Sequence, residues 1–223
     1  CIRDSLDIGY DPLKDFVAIT SIWSQPSVVM VRKDGPYHVL KDLIADAKKR
    51  PGELNYGSSG VGAFNHLSSE YFSSLAGIKM THVPFNGVAP AMNGLMGKSL
   101  DVVLGPVTNL LAAADRVIGL AVSSKTRSGF APQVPTAAEA GLPGFVYSSW
   151  GGLFGPAGLS PRIAERLAAA VSRGSNNDAV KKKYAANGVE PEFSSPAEYQ
   201  AQIAADFKSG GQLIRNIGLR ADK

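Results

Sequence analysis

Glu53-Leu54-Asn55-Tyr56-Gly57-Ser58-Ser59-Gly60-Val61-Gly62-Ala63-Phe64-Asn65-His66 is the stretch on which the fold turns. Its first six residues read as a strand. From Phe64 onward Leu67, Tyr71 and Leu75 recur at helical spacing. The glycines and serines between them turn the chain from strand to helix. A strand that runs through a glycine-rich loop into a helix is the unit from which parallel α/β sheets are built.

The same alternation extends in both directions. Upstream, Phe16 to Ile22 and Ser27 to Arg32 read as two short strands punctuated by Gln25-Pro26. Val39, Leu40, Leu43, Ile44 and Ala47 then mark a helix that Arg50-Pro51-Gly52 stops. Downstream, a strand is expected at Met80 to Val83, a helix near Ala89 to Met96, and a strand at Leu100 to Leu104. A helix near Asn109 to Ala114 and a strand at Gly119 to Ser123 follow. This order predicts a parallel or mostly parallel sheet covered by helices. Thr136 and Glu139 have the spacing of a capping box on a short helix ended by Gly141. After a strand-like stretch from Phe145 to Phe154 the chain turns helical. Ser160-Pro161 and Ser195-Pro196-Ala197-Glu198 open two long helices, and Val180 to Asn187 forms a third that Gly188 stops. These helices lack strands of their own, so part of the sheet they pack on comes from elsewhere in the chain.

The 223 residues suffice for one large domain or two small ones. Apolar residues at 44% and charged residues at 19% exclude disorder, collagen-like repeats and coiled coils. The 23 basic against 19 acidic residues leave a mild net +4, and the runs Lys48-Lys49-Arg50 and Lys181-Lys182-Lys183 read as solvated helix faces, so nucleic-acid binding is not indicated. The single cysteine rules out an internal disulfide. Cys1 occupies the place of a lipid-modified bacterial N-terminus, but nothing hydrophobic precedes it. The chain opens without methionine, and an upstream segment is expected. The most apolar run, Val102 to Ala114, is broken by Gly105, Pro106, Thr108 and Asn109, so no membrane insertion is expected.

Three nucleotide and hydrolase motifs nearly match and fail. Gly97-Lys98-Ser99 follows a helix where a phosphate loop precedes one. Gly60-Val61-Gly62 has Asn65 in place of the third glycine of a dinucleotide loop. Gly57-Ser58-Ser59-Gly60-Val61 has valine where a nucleophile elbow requires glycine. No two of His38, His66 and His82 have metal-ligand spacing, and no metal or cofactor is expected. What remains is the Gly57 to His66 junction as an anion site. Its glycines let the backbone approach a ligand, Ser58 and Ser59 offer hydroxyls, and the helix start presents unpaired amides and positive potential. The plain alternative is a tight turn whose serines cap the helix, with His66 a core or surface histidine. An enzyme using Ser58 or Ser59 with His66 is the competing function. The effector domain of a transcription regulator is a third, although no helix-turn-helix is visible.

These residues resemble the Bug family, also called the tripartite tricarboxylate transporter substrate-binding family of bacteria. The resemblance rests on Tyr10-Asp11-Pro12-Leu13-Lys14-Asp15-Phe16, Pro51 to Gly62, His82-Val83-Pro84-Phe85-Asn86-Gly87 and Asp101-Val102-Val103. It continues through Val134 to Phe145 and Ser149-Trp150-Gly151-Gly152-Leu153-Phe154-Gly155-Pro156-Ala157-Gly158. It implies an α/β fold of the two-domain periplasmic binding protein-like (type II) class, a solute receptor and not an enzyme. It also implies a ligand cleft between the domains whose closure is read by the membrane subunits of a tripartite tricarboxylate transporter. Carried onto this chain, 27–147 form the second domain, and 1–26 with 148–223 form the first. Family members begin with a strand, a glycine-rich loop, a helix and further strands ahead of Tyr10. The chain is therefore expected to be N-terminally incomplete, with part of the first domain missing.

The ligand implied is a small organic carboxylate. Ser58, Ser59, Gly60, Gly62, Ala63 and Phe64 would supply amides, hydroxyls and an apolar wall, with His66 beside them. Phe85, Gly105 and Thr108 would border the distal part, and Trp150 would lie near the hinge. Many family members carry aspartate where Gly105-Pro106 stands, so a simple carboxylate or aromatic acid is expected here over an amino acid.

Overall fold

One extended strand, β1 (Phe16–Arg32), carries the chain through two units. A computed structural model of the protein describes residues 9–175 and 177–218; Cys1 lies outside them. The two strands expected on either side of Gln25-Pro26 are a single one. Proline removes a ladder donor, and Pro26 falls between the register with one partner at Trp23 and Ser24 and the register with another from Ser27 onward.

The chain divides into unit 1, comprising 1–25 and 150–223, and unit 2, comprising 26–149. In unit 2, β1 is followed by α1 (Leu40–Lys49), β2 (Asn55–Ser58), α2 (Phe64–Ala76) and β3 (Thr81–Pro84). Then come α3 (Val88–Met96), β4 (Val102–Pro106), α4 (Val107–Ala112) and β5 (Val117–Val122). The strands lie in the order β3-β2-β4-β1-β5. β2 is parallel to β3 and β4, but β1 runs antiparallel to both β4 and β5. The sheet is therefore mixed and not mostly parallel. β1 is joined to its neighbours β4 and β5 only through long stretches of chain, and such connections permit either direction.

The two faces of this sheet are sorted by the two-residue period of β1. Val29 and Val31 face Leu43, Tyr56, Phe72 and Phe145, under α1 and α2. Val28 and Met30 face Met92, Leu95, Val103 and Leu110, under α3 and α4. A strand buried on both faces reads as the continuous apolar run Val28-Val29-Met30-Val31. Thr136 and Glu139 do exchange the capping bonds, with Thr136 N donating to Glu139 Oε2 at 2.7 Å and Glu139 N to Thr136 Oγ1 at 3.2 Å. The segment closes as a turn, however, because Gly141 (φ 91°) ends it before a helix is established. Phe145 belongs to the core, and the strand expected from it begins at Ser148.

Unit 1 contains the first part of β1, most of β6 (Ser148–Pro156), α5 (Pro161–Ser175), α6 (Asp178–Ala186), β7 (Glu190–Pro191) and α7 (Pro196–Asn216). β6 and β7 both pair with β1, supplying the strands that the helices lack in the sequence. Ser195 and Glu198 form a reciprocal capping box at the start of α7. Tyr199 and Ile203 of that helix pack with Ala18, and Ala164 and Ala168 of α5 pack with Ile19.

Candidate functional site

Parallel pairing brings the carboxyl ends of β2, β3 and β4 to one edge of the unit 2 sheet: Ser58 lies opposite Pro84, and Gly57 opposite Val103. Ligands of open α/β sheets bind at such an edge. The loop after β2 reaches α2 through Gly60 (φ 129°) and Gly62 (φ 76°), conformations that side chains with a Cβ resist. Phe85 N donates to Ser58 O at 3.0 Å and ties the loop after β3 to it. Gly105 and Thr108 lie at the end of β4 and in α4.

The polar side chains of this junction are directed at the loop itself. Asn65 Oδ1 accepts from Ser59 N at 3.1 Å and from Ser59 Oγ at 2.9 Å. Ser58 Oγ accepts from Gly60 N at 3.1 Å and lies 3.0 Å from Gly60 O and 2.6 Å from His82 Nε2. Gly62 N donates to His66 Nδ1 at 3.0 Å. The His66 and His82 rings stack at 4.0 Å, with Tyr56 stacked on His82 at 4.9 Å and its hydroxyl donating to Glu70. Burial pushes the His82 imidazole down to about 4, helped by repulsion from His66. Burial also lowers His66, against the opposing pull of Glu70.

These bonds leave the start of α2 open. Its N-cap is Ala63, with no side-chain cap, and no acidic residue lies in its first turn. The serines therefore do not cap the helix, as the plain reading of the sequence expected. The first-turn amides of Phe64, Asn65 and His66 have no acceptor among the described residues. Asn65 is 2% exposed, and its Nδ2 has no partner among the described residues. Unneutralised helix-start amides beside this side-chain amide, with Val61 exposed at the loop tip, have the donors and the positive potential that suit an anion.

Ser58, Ser59, Gly60, Gly62, Ala63, Phe64, His66, Phe85, Gly105 and Thr108 all fall in unit 2 on the elements that meet at this edge. Ser58 is fully buried, and the amides of Ser59, Gly60, Gly62 and Ala63 are bonded within the junction, so the open donors lie one turn further on. Phe64 stacks on Tyr147 at 5.2 Å. Trp150 belongs to unit 1, where its Nε1 donates to Asp206 Oδ2 at 2.5 Å. Burial raises the Asp206 carboxyl, against the Trp150 hydrogen bond.

The serine–histidine contact is made by His82 and not by His66, whose Nδ1 is taken by Gly62. The Ser58 hydroxyl of that contact is inaccessible to a substrate. Glu70 bonds to Tyr56. This is not the exposed nucleophile, base and orienting acid of a serine hydrolase. His82, Asn65 and Tyr56 are the residues that sequence reasoning missed. The signal for the first was its place opposite Tyr56 once β2 and β3 are aligned as parallel strands.

Residues 5–219 match the family described as the tripartite tricarboxylate transporter family receptor. The chain is 35% identical over 171 residues to a protein encoded in the tcbD-tcbE intergenic region of Pseudomonas sp. (strain P51), covering 74% of this chain and 50% of that one. It is 30% identical to Protein BugT of Bordetella pertussis, covering 96% of this chain and 66% of the relative. The chain thus spans about half to two thirds of the length of these curated relatives. Among solved structures, R. palustris Rpa4515 with adipate superposes with a TM-score of 0.76 at 31% identity, covering 97% of this chain and 73% of that one. MatC from Rhodopseudomonas palustris with bound malate gives a TM-score of 0.73 at 26% identity, with 94% and 73% covered. A TctC solute binding protein from Polaromonas gives 0.83 at 25% identity, with 91% and 70% covered. With nearly the whole chain matched by the family and the same α/β fold recurring in these structures, the protein belongs to the Bug, or tripartite tricarboxylate transporter receptor, family.

Proposed function

We propose that the protein is an extracytoplasmic solute receptor that captures a small organic carboxylate at the start of α2. The observation that carries this reading is the open first turn of that helix. Phe64, Asn65 and His66 present unaccepted amides, while the hydrogen-bonding atoms Ser58 Oγ, Asn65 Oδ1 and His66 Nδ1 are turned into the loop. Amides at a helix start hold a carboxylate without a salt bridge, so the loop needs no arginine. The proposed site residues are Ser58, Ser59, Gly60, Gly62, Ala63 and Phe64 with His66, bordered by Phe85, Gly105 and Thr108. In this reading Ser58 and His66 shape the loop, and the amides of the first turn contact the ligand. Gly105 offers no carboxylate to an ammonium group, which favours a plain di- or aromatic acid. Two structural relatives, Rpa4515 with adipate and MatC with bound malate, support the ligand class.

Units 1 and 2 are proposed as the two lobes of the receptor, with Trp150 at the change of unit. Its proposed partners are the membrane subunits of a tripartite tricarboxylate transporter, and its proposed location is the periplasm. No helix among the described residues is long and apolar enough to cross a membrane.

The test is a thermal-shift screen of the protein against mono-, di- and tricarboxylates, aromatic acids and amino acids, since a ligand that binds only the folded state raises Tm by mass action. A rise with one acid, which is recovered unchanged, supports the receptor. Consumption of the acid, or a response confined to amino acids, refutes it.

A further inference from the structure

We propose that His66 and His82 are the positioning residues of the carboxylate loop: stacked as neutral imidazoles they fix Gly62 and Ser58, and protonation of His66 releases Gly62. This rests on the anion-site reading of α2 given above. The geometry is specific. His66 accepts the Gly62 amide through Nδ1 at 3.0 Å, so that nitrogen carries a lone pair and the ring's proton sits on Nε2. A second proton has to go on Nδ1, where it meets the Gly62 N–H head-on and the bond is lost. His82 reaches Ser58 Oγ at 2.6 Å, and the same oxygen accepts the Gly60 amide. The two imidazoles therefore hold the loop at both ends, before and after its exposed tip at Val61.

Their own packing makes them a unit. The rings are 4.0 Å apart and 15° from parallel, so a charge on one opposes a charge on the other. The ionisable groups facing them are Tyr56 of β2, stacked on both rings, and Glu70 of α2, which is held by the Tyr56 hydroxyl and lies on the His66 side. His66 is also the third residue of α2, where the helix dipole disfavours a cation. Burial, the stack and the dipole all favour the neutral pair, and the loop's shape depends on that neutrality.

The experiment follows the amide resonances of Gly60, Val61 and Gly62 and the two ring resonances in the isotopically labelled full chain, from pH 7.5 to pH 4, and measures adipate and malate affinity at pH 7.5. The expected result is that the Gly62 amide moves with the same midpoint as the His66 ring, below the ordinary histidine value. In His66→Asn the side-chain oxygen stands near the former Nδ1 and takes no proton, so the Gly62 amide stops following acid. His66→Leu removes the acceptor and weakens the acid that binds by about tenfold, the loss of one hydrogen bond's worth of loop order. His66→Asn recovers most of that loss. A Gly62 amide that stays fixed while the His66 ring titrates overturns the proposal, and so does His66→Asn titrating like wild type. Both readouts stand even if the leucine variant fails to fold. If Gly62 follows the His66 ring but neither acid binds at pH 7.5, the histidine brace holds and the carboxylate reading falls.

Discussion

Asn65→Asp tests the anion site with the least change of shape. Asn65 is the second residue of α2, its Oδ1 already accepts the Ser59 amide and hydroxyl, and its Nδ2 has no partner among the described residues. Aspartate keeps both acceptor bonds and replaces the unpaired donor with an oxygen. The free protein should tolerate it: a negative charge in a first helical turn contributes about 0.3–1 kcal/mol, which offsets part of the burial cost. Ligand binding should not tolerate it. A carboxylate held by the amides of Phe64, Asn65 and His66 would lie about 6 Å from the new charge, and two like charges at that distance repel by about 3 kcal/mol at an effective dielectric of about 20. Affinity for adipate, malate or whichever acid the screen identifies should fall about 100-fold at pH 7.5. Titration calorimetry of wild type and variant measures this, with thermal melts of the ligand-free proteins as the control for folding. A folded Asn65→Asp protein that binds its acid as tightly as wild type would show that the carboxylate does not sit at the start of α2.

Two further outcomes follow from packing. His82 falls from its ordinary 6.5 to about 4 in the folded protein, and His66 is lowered too. Between those two values the unfolded chain binds more protons than the folded one, so stability is complete above about pH 6.5 and is lost as pH falls toward about 4. After allowance for the ring's partial exposure the His82 share is about 2 kcal/mol, and urea unfolding at pH 7.5 and 4.5 should show it, with His82→Asn flattening the slope. Equal slopes in the two proteins would remove the explanation. In unit 1, a Cβ at Gly152 would be driven into the Tyr199 hydroxyl and would lie 2.5 Å from Thr20 O, whereas one at Gly158 (φ 87°) meets nothing. Gly152→Ala should destabilise by about 3 kcal/mol and Gly158→Ala by about 1 kcal/mol, read through Trp23 and Trp150 fluorescence in denaturant. Similar losses in the two variants would mean that Tyr199 yields.

The elements themselves were legible because each has a local cause. Leu40, Leu43 and Ala47 at helical spacing, Phe64, Leu67 and Tyr71 likewise, and Ser195 with Glu198 define helices without reference to anything distant. The direction of β1 was not legible, since an apolar run pairs either way and its partner strands β4 and β5 lie far along the chain. At the site, the glycines and serines of the loop pointed to an anion. The targets of the serines did not follow, because a serine near a helix start can cap it or bond to a neighbouring side chain, and Asn65 decides that competition only once the loop is folded. The pairing of His66 with His82 needs the β2–β3 register, and no spacing within either segment encodes it.

The division of the chain has a consequence for how the protein comes into being. Residues 26–149 are continuous, and their five-stranded sheet order, β3-β2-β4-β1-β5, is completed by segments drawn from within them. The other unit joins residues before 26 to helices after 150, and its closure must wait until all of that intervening chain has been made. As the chain emerges from its N-terminal end, the continuous unit can therefore reach its native state first. Early docking of that intervening unit shortens the effective loop over which the remaining ends must find each other.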